Sequence, residues 1–510
     1  MSISRRTSAI LAVVSMGLAL QACSSTEEKT TPATTSGSPT SGGVLRQSSA
    51  DPGSEIDPVT VSSPGGTGVV DAITEKLVRI DVNYQVQPLL ATEWSVADDN
   101  LTWTFKIRQG VKFNNGAALT PADVVATFER LIAEDSVSPA KGSLAALHSV
   151  ETNGEDAVDF QLSKPFSDFP YLVAGSNTQI LPADYEIGTW SQSYVGTGPF
   201  LVEAFNPGQG LTLVRNPDYW NAEHIYIDGI DLKFFKDQQA QVLALQSGEI
   251  DGLFGEPVPA ALTSALDRSQ YQVATRQSTG IVTLAFRVDT PPLDNVKVRQ
   301  AVAWALDRDA IIETAWGGEA DPGNDTVYSP LFGTTPTGLE QRSQNLAKVK
   351  ELVGDDVVEF TITTSPSQET LATLIQQQLN QTGSFDVKVE ILADDVYFAQ
   401  GADSPWLSAP VTVTGWAGRS TPSQFIDLIY RTGSGWNASK YSNPRLDQLS
   451  DQYDAATDPA ERQEIVNELA KIQWTDVPVV IAGFRGYTTF INNKVHWPED
   501  GGYTDLWIEN

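Results

Sequence analysis

The sequence predicts an α/β chain, or an α+β chain with large mixed sheets, and three observations carry that prediction. Apolar residues alternate with polar ones at several separate places, helix caps recur between those places, and the chain is long enough for about three domains. Leu101, Trp103, Phe105 and Ile107 follow the period of a half-buried strand, as do Ile230, Leu232 and Phe234. Thr120-Pro121-Ala122-Asp123 is a helix start, with a hydroxyl at the cap, Pro at the first helical position and an acid in the first turn. Val124, Val125, Phe128, Leu131 and Ile132 then share a face. A helix near Gln239–Gln246 ends at Gly248. Asp294 precedes another, with Val298, Val302, Ala305 and Leu306 on its inner side. Asp458-Pro459-Ala460-Glu461 opens a last helix ahead of Ile465, Leu469 and Ile472.

Composition narrows the function. The chain has 510 residues, is 41% hydrophobic, and carries 33 Lys+Arg against 64 Asp+Glu, a net charge of −31. Such a surface is repelled by phosphate backbones, which argues against nucleic acid and against adhesion to anionic lipid through a charged face. One Cys and three His (His148, His224 and His496) exclude a disulfide scaffold and leave almost nothing from which to build a thiolate or histidine metal site. No metal or cofactor is expected.

The N-terminus reads as an export signal over residues 1–22. Arg5 and Arg6 precede an uncharged, largely apolar stretch from Ala9 to Leu20, shorter than the roughly 20 residues that span a bilayer. Ser4-Arg5-Arg6 hints at twin-arginine export, but the residues after it fit the general secretory route better. Leu20-Gln21-Ala22-Cys23 resembles the lipobox of bacterial lipoproteins, which makes Cys23 the expected lipidation site and the new N-terminus. Ser24 to Ser41 holds 11 Ser or Thr among 18 residues. Residues 23–42 therefore read as a flexible tether with a reach on the order of 25 Å.

Motifs of catalysis are missing. The chain has no Gly-x-Ser-x-Gly elbow, no His-Glu-x-x-His pair and no Gly-Lys-Ser/Thr of a P-loop. Gly196-Thr197-Gly198 lacks the third glycine of a dinucleotide loop and runs into Pro199. The acid pairs Asp98/Asp99, Asp355/Asp356 and Asp394/Asp395 read as solvated turns rather than glycosidase carboxylates. His148 and His496 read as surface or packing residues. The chain is not expected to be an enzyme; the rival readings are a surface-anchored envelope hydrolase and a chaperone-like binder of extended polypeptide.

An ordered set of segments resembles the family-5 extracellular solute-binding proteins of bacterial ABC importers, the oligopeptide-, dipeptide- and nickel-type receptors. Gly42-Gly43-Val44-Leu45 is followed by Thr74-Glu75-Lys76-Leu77-Val78, then by Leu101–Arg108, then by Val111-Lys112-Phe113-Asn114-Asn115-Gly116. The most specific matches are Gly196-Thr197-Gly198-Pro199-Phe200 and Arg215-Asn216-Pro217-Asp218-Tyr219-Trp220. Leu245–Asp251, Val298-Arg299-Gln300-Ala301 and Tyr441-Ser442-Asn443-Pro444 continue the series.

The resemblance implies a two-lobed periplasmic-binding-protein-like (type II, cluster C) fold with an extra domain inserted in the first lobe. Lobe I would comprise 43–70, 195–280 and 486–510, the inserted domain II 71–194, and lobe III 281–485, with hinge crossings near 280 and 485. It also implies a monomer that closes on a small solute, by default a peptide, and docks on an ABC permease served by ATPase subunits. Trp416, at the end of Val411-Thr412-Val413-Thr414-Gly415-Trp416, would be delivered to the cleft beside Gly415. In peptide-binding members an Asp three residues after this Trp pairs with the peptide's α-ammonium. Here Arg419 stands in that place, and a cation repels an ammonium. The ligand is therefore expected to lack that anchor and to present a carboxylate to Arg419. Further candidates for the pocket are Ser62 and Ser63 after the first strand, Phe254, and Trp436.

Overall fold

The structure is a computed structural model; it describes residues 39–53, 55–254, 258, 260–263, 266–498 and 502–509. The export signal, Cys23 and nearly all of the tether lie outside these residues. The tether's last residues are already tied to the folded body, since Thr40 Oγ1 donates to the Ile508 carbonyl (3.1 Å) and the Gly42 amide to that of Tyr226 (2.9 Å).

Two large mixed sheets dominate. The first runs, in order, Tyr271–Arg276, Tyr487–Asn492, Gly252–Leu253, Val44–Ala50, Gly229–Phe235, Gly210–Arg215 and Phe200–Asn206. Val44–Ala50 lies parallel to Gly229–Phe235, and Ile230 and Leu232 are buried as their alternation predicts. The second sheet runs Ala320–Pro322, Val479–Arg485, Ile281–Phe286, Val411–Trp416, Val358–Thr364 and Phe385–Ile391. Successive residues of its central strands enter different cores. Val282, Leu284, Val480 and Ala482 face one, and Ile281, Ala285, Val479 and Ile481 face the other. That accounts for unbroken apolar runs in strands covered on both faces.

A four-stranded antiparallel sheet, Ala91–Val96, Thr102–Ile107, Ala157–Leu162 and Leu147–Asn153, is built from the segment that runs between Val44–Ala50 and Phe200–Asn206, two strands of the first sheet. Trp103, Phe105 and Ile107 point inward; the Phe160 ring meets Phe128 at 4.8 Å and Phe105 at 5.3 Å. This core is continuous with the one beneath the seven-stranded sheet.

Caps start the helices where the sequence places them. The Asp123 carboxylate accepts from both the amide and the hydroxyl of Thr120 (2.8 Å each), opening Pro121–Ile132. Asp458 accepts from the amides of Ala460 and Glu461 and opens Pro459–Asp476. Before Val296–Ala305 the cap is Asn295, one residue past Asp294. The acid pairs at 98/99, 355/356 and 394/395 are exposed, as is His148, and His496 stacks on Trp507 at 3.6 Å.

Candidate functional site

The chain passes between the two large sheets twice. Strand Tyr271–Arg276 leads through 277–280 into Ile281–Phe286, and Val479–Arg485 leads through Gly486 into Tyr487–Asn492. Gly486 is required at its crossing, because a Cβ there would lie 2.8 Å from the Arg276 carbonyl oxygen and 3.2 Å from that of Glu319. Beside these crossings opens a cleft of about 750 Å³, in the range of small-molecule sites.

Three parts of the chain wall it. Phe254, Trp497 and Tyr503 form an aromatic face on the first-sheet side, with Phe254 and Trp497 at 4.5 Å and Trp497 and Tyr503 at 6.2 Å. Gly418, Arg419 and Ser420 come from the loop after Val411–Trp416, and residues 80–84 from the inserted segment. Thr279 fixes that loop at the first crossing. Its hydroxyl accepts from the Arg419 amide (2.9 Å) and donates to the Arg419 carbonyl (2.7 Å).

Arg419 is thus held by its backbone while its guanidinium meets no hydrogen-bond acceptor or carboxylate among the described residues. Burial lowers the Arg419 pKa, and no neighbouring charge acts against it. Asp81 is the one carboxylate among the described lining residues. Burial pushes its pKa upward, but bonds from Gln85, Gln87 and Asn83 outweigh that and hold it below the usual carboxylate range. Those bonds occupy both its oxygens inside a local turn; of the two arginines that line the cleft, Arg276 donates to the Pro498 carbonyl (3.4 Å), whereas the Arg419 guanidinium stands ready for a charged guest. A half-buried guanidinium without a partner carries a desolvation cost, and the cost falls when an anion arrives.

Of the residues singled out in the sequence, Arg419 and Phe254 line this cleft; Trp416, Gly415, Trp436, Ser62 and Ser63 do not. The Trp416 indole turns away from it, donating from Nε1 to Thr283 Oγ1 (3.0 Å) and packing with Trp436 (5.9 Å) and Trp406 (6.2 Å). This trio encloses about 10 Å³, room for little more than one water. Gly415 is exposed, with Gln368 Nε2 3.1 Å from where a Cβ would stand. The Ser63 hydroxyl is spent capping Pro64–Ile73 by accepting from the Gly66 amide (3.2 Å), and Ser62 is exposed ahead of that cap. The sequence reading missed Tyr84, Trp497 and Tyr503. The predicted crossings near 280 and 485 were the signal that could have directed attention to Tyr487 and its neighbours. Among the described residues no group of three or more His, Cys, Asp or Glu could hold a metal ion, and no helix is long and apolar enough to cross a membrane.

With this geometry in hand, the chain can be set beside known proteins. Residues 85–437 match the family described as bacterial extracellular solute-binding proteins, family 5 Middle. The chain is 24% identical over 511 residues to the dipeptide-binding protein DppE of Bacillus subtilis, covering 89% of this chain and 90% of that one. It is 27% identical over 512 residues to the oligopeptide-binding protein AppA of the same organism, covering 92% of each. The structure of HbpA2 from Haemophilus parasuis superposes with a TM-score of 0.79 at 20% identity, over 92% of this chain and all (100%) of that one. The architecture is that of two-lobed periplasmic binding proteins. With two sheet-bearing lobes around a cleft and a matched segment covering most of its length, this chain belongs to the family-5 bacterial extracellular solute-binding proteins, which bind solutes rather than transform them.

Proposed function

We propose that this chain is the lipid-anchored receptor of a bacterial ABC importer, taking a small peptide or peptide-like solute into the cleft and delivering it to a membrane permease with separate ATPase subunits. The observation that carries the reading is the half-buried Arg419 guanidinium, without a partner among the described residues, in a cleft at two chain crossings. The solute touches both lobes, so it favours the closed arrangement over the open one, and the permease reads that difference. Arg419 receives a carboxylate of the solute in fork geometry, and Phe254 provides an apolar wall. Trp416, Trp436 and Gly415 support the loop that carries Arg419, and Ser63 with Ser62 sets the start of the first helix. Lobe I (43–70, 195–280, 486–510), domain II (71–194) and lobe III (281–485) are the moving parts of a monomer. The names of DppE and AppA support a peptide as the default guest.

Calorimetric titration of the purified protein with N-acetylated and C-amidated peptide libraries tests the site. Binding of the acetylated set, and its loss by about tenfold or more in Arg419→Ala, is expected; submicromolar binding of free-amine, C-amidated peptides that survives Arg419→Ala overturns the anchor. For the tether, Cys23→Ser is expected to move the protein from the membrane fraction to the extracytoplasmic soluble fraction, because acyl chains at Cys23 would be its only hold on the bilayer.

A further inference from the structure

Asp454 lies at the end of helix Pro444–Ala455, where the inserted segment meets the second lobe. The Ser167 amide donates to its carbonyl (2.6 Å) and Asn100 Nδ2 to the Ala455 carbonyl beside it (3.1 Å). The Asp454 side chain is only 2% exposed, although a carboxylate is among the groups least suited to burial. Its Oδ1 accepts from the Ser423 hydroxyl (2.6 Å), whereas Oδ2 is buried with no hydrogen-bond donor among the described residues. Lys164 of the inserted segment brings Nζ to 3.8 Å from Oδ2, but that side chain is 52% exposed and its pull is screened by water.

The other charges around Asp454 do not rescue it. Asp427, on helix Pro422–Ile429, repels its ionised form, and Arg431 attracts it. Arg431 is already shared between Asp427 (2.7 Å) and Asp451 (2.9 Å). Arg462 is committed to Asp168, with Nη2 at 3.0 and 2.7 Å from its two oxygens. The phenols of Tyr328 and Tyr453 are close enough to feel the Asp454 charge, and both stay protonated. Burial outweighs the Ser423 bond and the two cations, and pushes Asp454 up to about 6.

We propose that Asp454 makes the junction of inserted segment and second lobe proton-sensitive: the closed arrangement holds a proton on this carboxylate, and the open arrangement, with water at Oδ2, releases it. This rests on the lobe motion of the receptor reading above. The sign follows from linkage. Closure takes up a proton, so the added grip is complete below the ordinary value near 3.8 and is lost as pH rises through about 6. The receptor therefore holds its solute more firmly in mild acid than at neutral pH.

Hydrogen exchange of the purified full chain without ligand, read by mass spectrometry from pH 5 to pH 8 and corrected for intrinsic rates, tests this. Protection of residues 164–168, taken relative to strand Val358–Thr364 to remove global stability, is expected to fall at least threefold across that range. Asp454→Asn is neutral at every pH and is expected to keep the acid-level protection up to pH 8. That gain at neutral pH is one that loss of a merely structural carboxylate would not give. Lys164→Gln, at an exposed position, removes an attraction for the ionised form and is expected to deepen the fall and extend it to higher pH. A flat wild-type profile, or an Asp454→Asn profile that is unchanged or lies below the wild type at pH 8, overturns the proposal. Should Asp454→Asn fold poorly, an unchanged profile in Lys164→Gln overturns it instead. The measurement needs no solute, so these failures leave the receptor reading standing; that reading fails separately, in the peptide titrations.

Discussion

Glu75 is sealed from water at the junction of the first sheet and the inserted segment, where the Tyr219 hydroxyl (2.7 Å) and the Trp220 indole (3.0 Å) donate to its carboxylate. Burial pushes its pKa up to about 7, against the pull of those two hydrogen bonds and of Arg108. The sign follows from linkage. The folded state holds this proton more tightly than the unfolded chain does, so the associated stability is complete below the ordinary value near 4.5 and is lost as pH rises through about 7. The displacement corresponds to something on the order of 3 kcal/mol. Chemical denaturation of wild type and Glu75→Gln between pH 4 and pH 8 is expected to show that slope in the wild type and its loss in the variant. Asp325 is the opposite case, a buried carboxylate between two arginines. Arg308 Nη2 lies 2.8 Å from each oxygen, and Arg342 bonds to it while stacking on Trp474 at 4.1 Å. Asp325→Ala leaves two buried cations unpaired and is expected to cost about 3–5 kcal/mol in a urea titration.

At the scale of elements, Gly196-Thr197-Gly198 shows why a glycine pair without a cofactor is kept. A Cβ on Gly196 or Gly198 would stand 2.2 or 2.6 Å from the Ile73 carbonyl oxygen at the end of helix Pro64–Ile73, to which the Gly198 amide donates at 2.8 Å. Two backbones meet there, and neither can give way cheaply. Gly198→Ala is expected to lose about 1–3 kcal/mol by thermal or urea unfolding, with the helix displaced. The cap positions were legible because capping is local: a carboxylate or hydroxyl meets amides two or three residues on, and the pattern lies within one short window. The same locality explains the one-residue difference at Asp294 and Asn295, two short polar residues that can both play the part.

At the scale of the whole molecule, the inserted segment grips the second lobe. Asp168 pairs with Arg462, the Ser167 amide donates to the Asp454 carbonyl (2.6 Å), and Asn100 Nδ2 donates to the Ala455 carbonyl (3.1 Å). These bonds join the inserted segment to the second lobe, and in the proposed lobe motion opening the cleft breaks them. Asp168→Ala is expected to favour the open form, raising the Kd of whatever ligand the wild type retains by about tenfold, about 1.4 kcal/mol, mainly through faster dissociation in stopped-flow measurements, with unfolding temperature little changed. An unaltered dissociation rate would remove the grip from the account of closure.

The sequence by itself determined the class of fold, the absence of recognisable catalytic motifs and most helix starts, because each depends on composition or on short-range spacing, and the family through the resemblance of an ordered set of segments. It also singled out Arg419, through the resemblance, because a cation stands where peptide-binding members have an Asp. Only the tertiary structure decided which distant residues meet around the cleft. Thr279 meets Arg419 across 140 positions, and Asp168 meets Arg462 across 294. It also turned Trp416 away, since whether a strand-end indole faces a cleft or a neighbouring ring depends on what Thr283, Trp406 and Trp436 place beside it. Periodicity says which face of a strand is covered; it holds no information on what covers it.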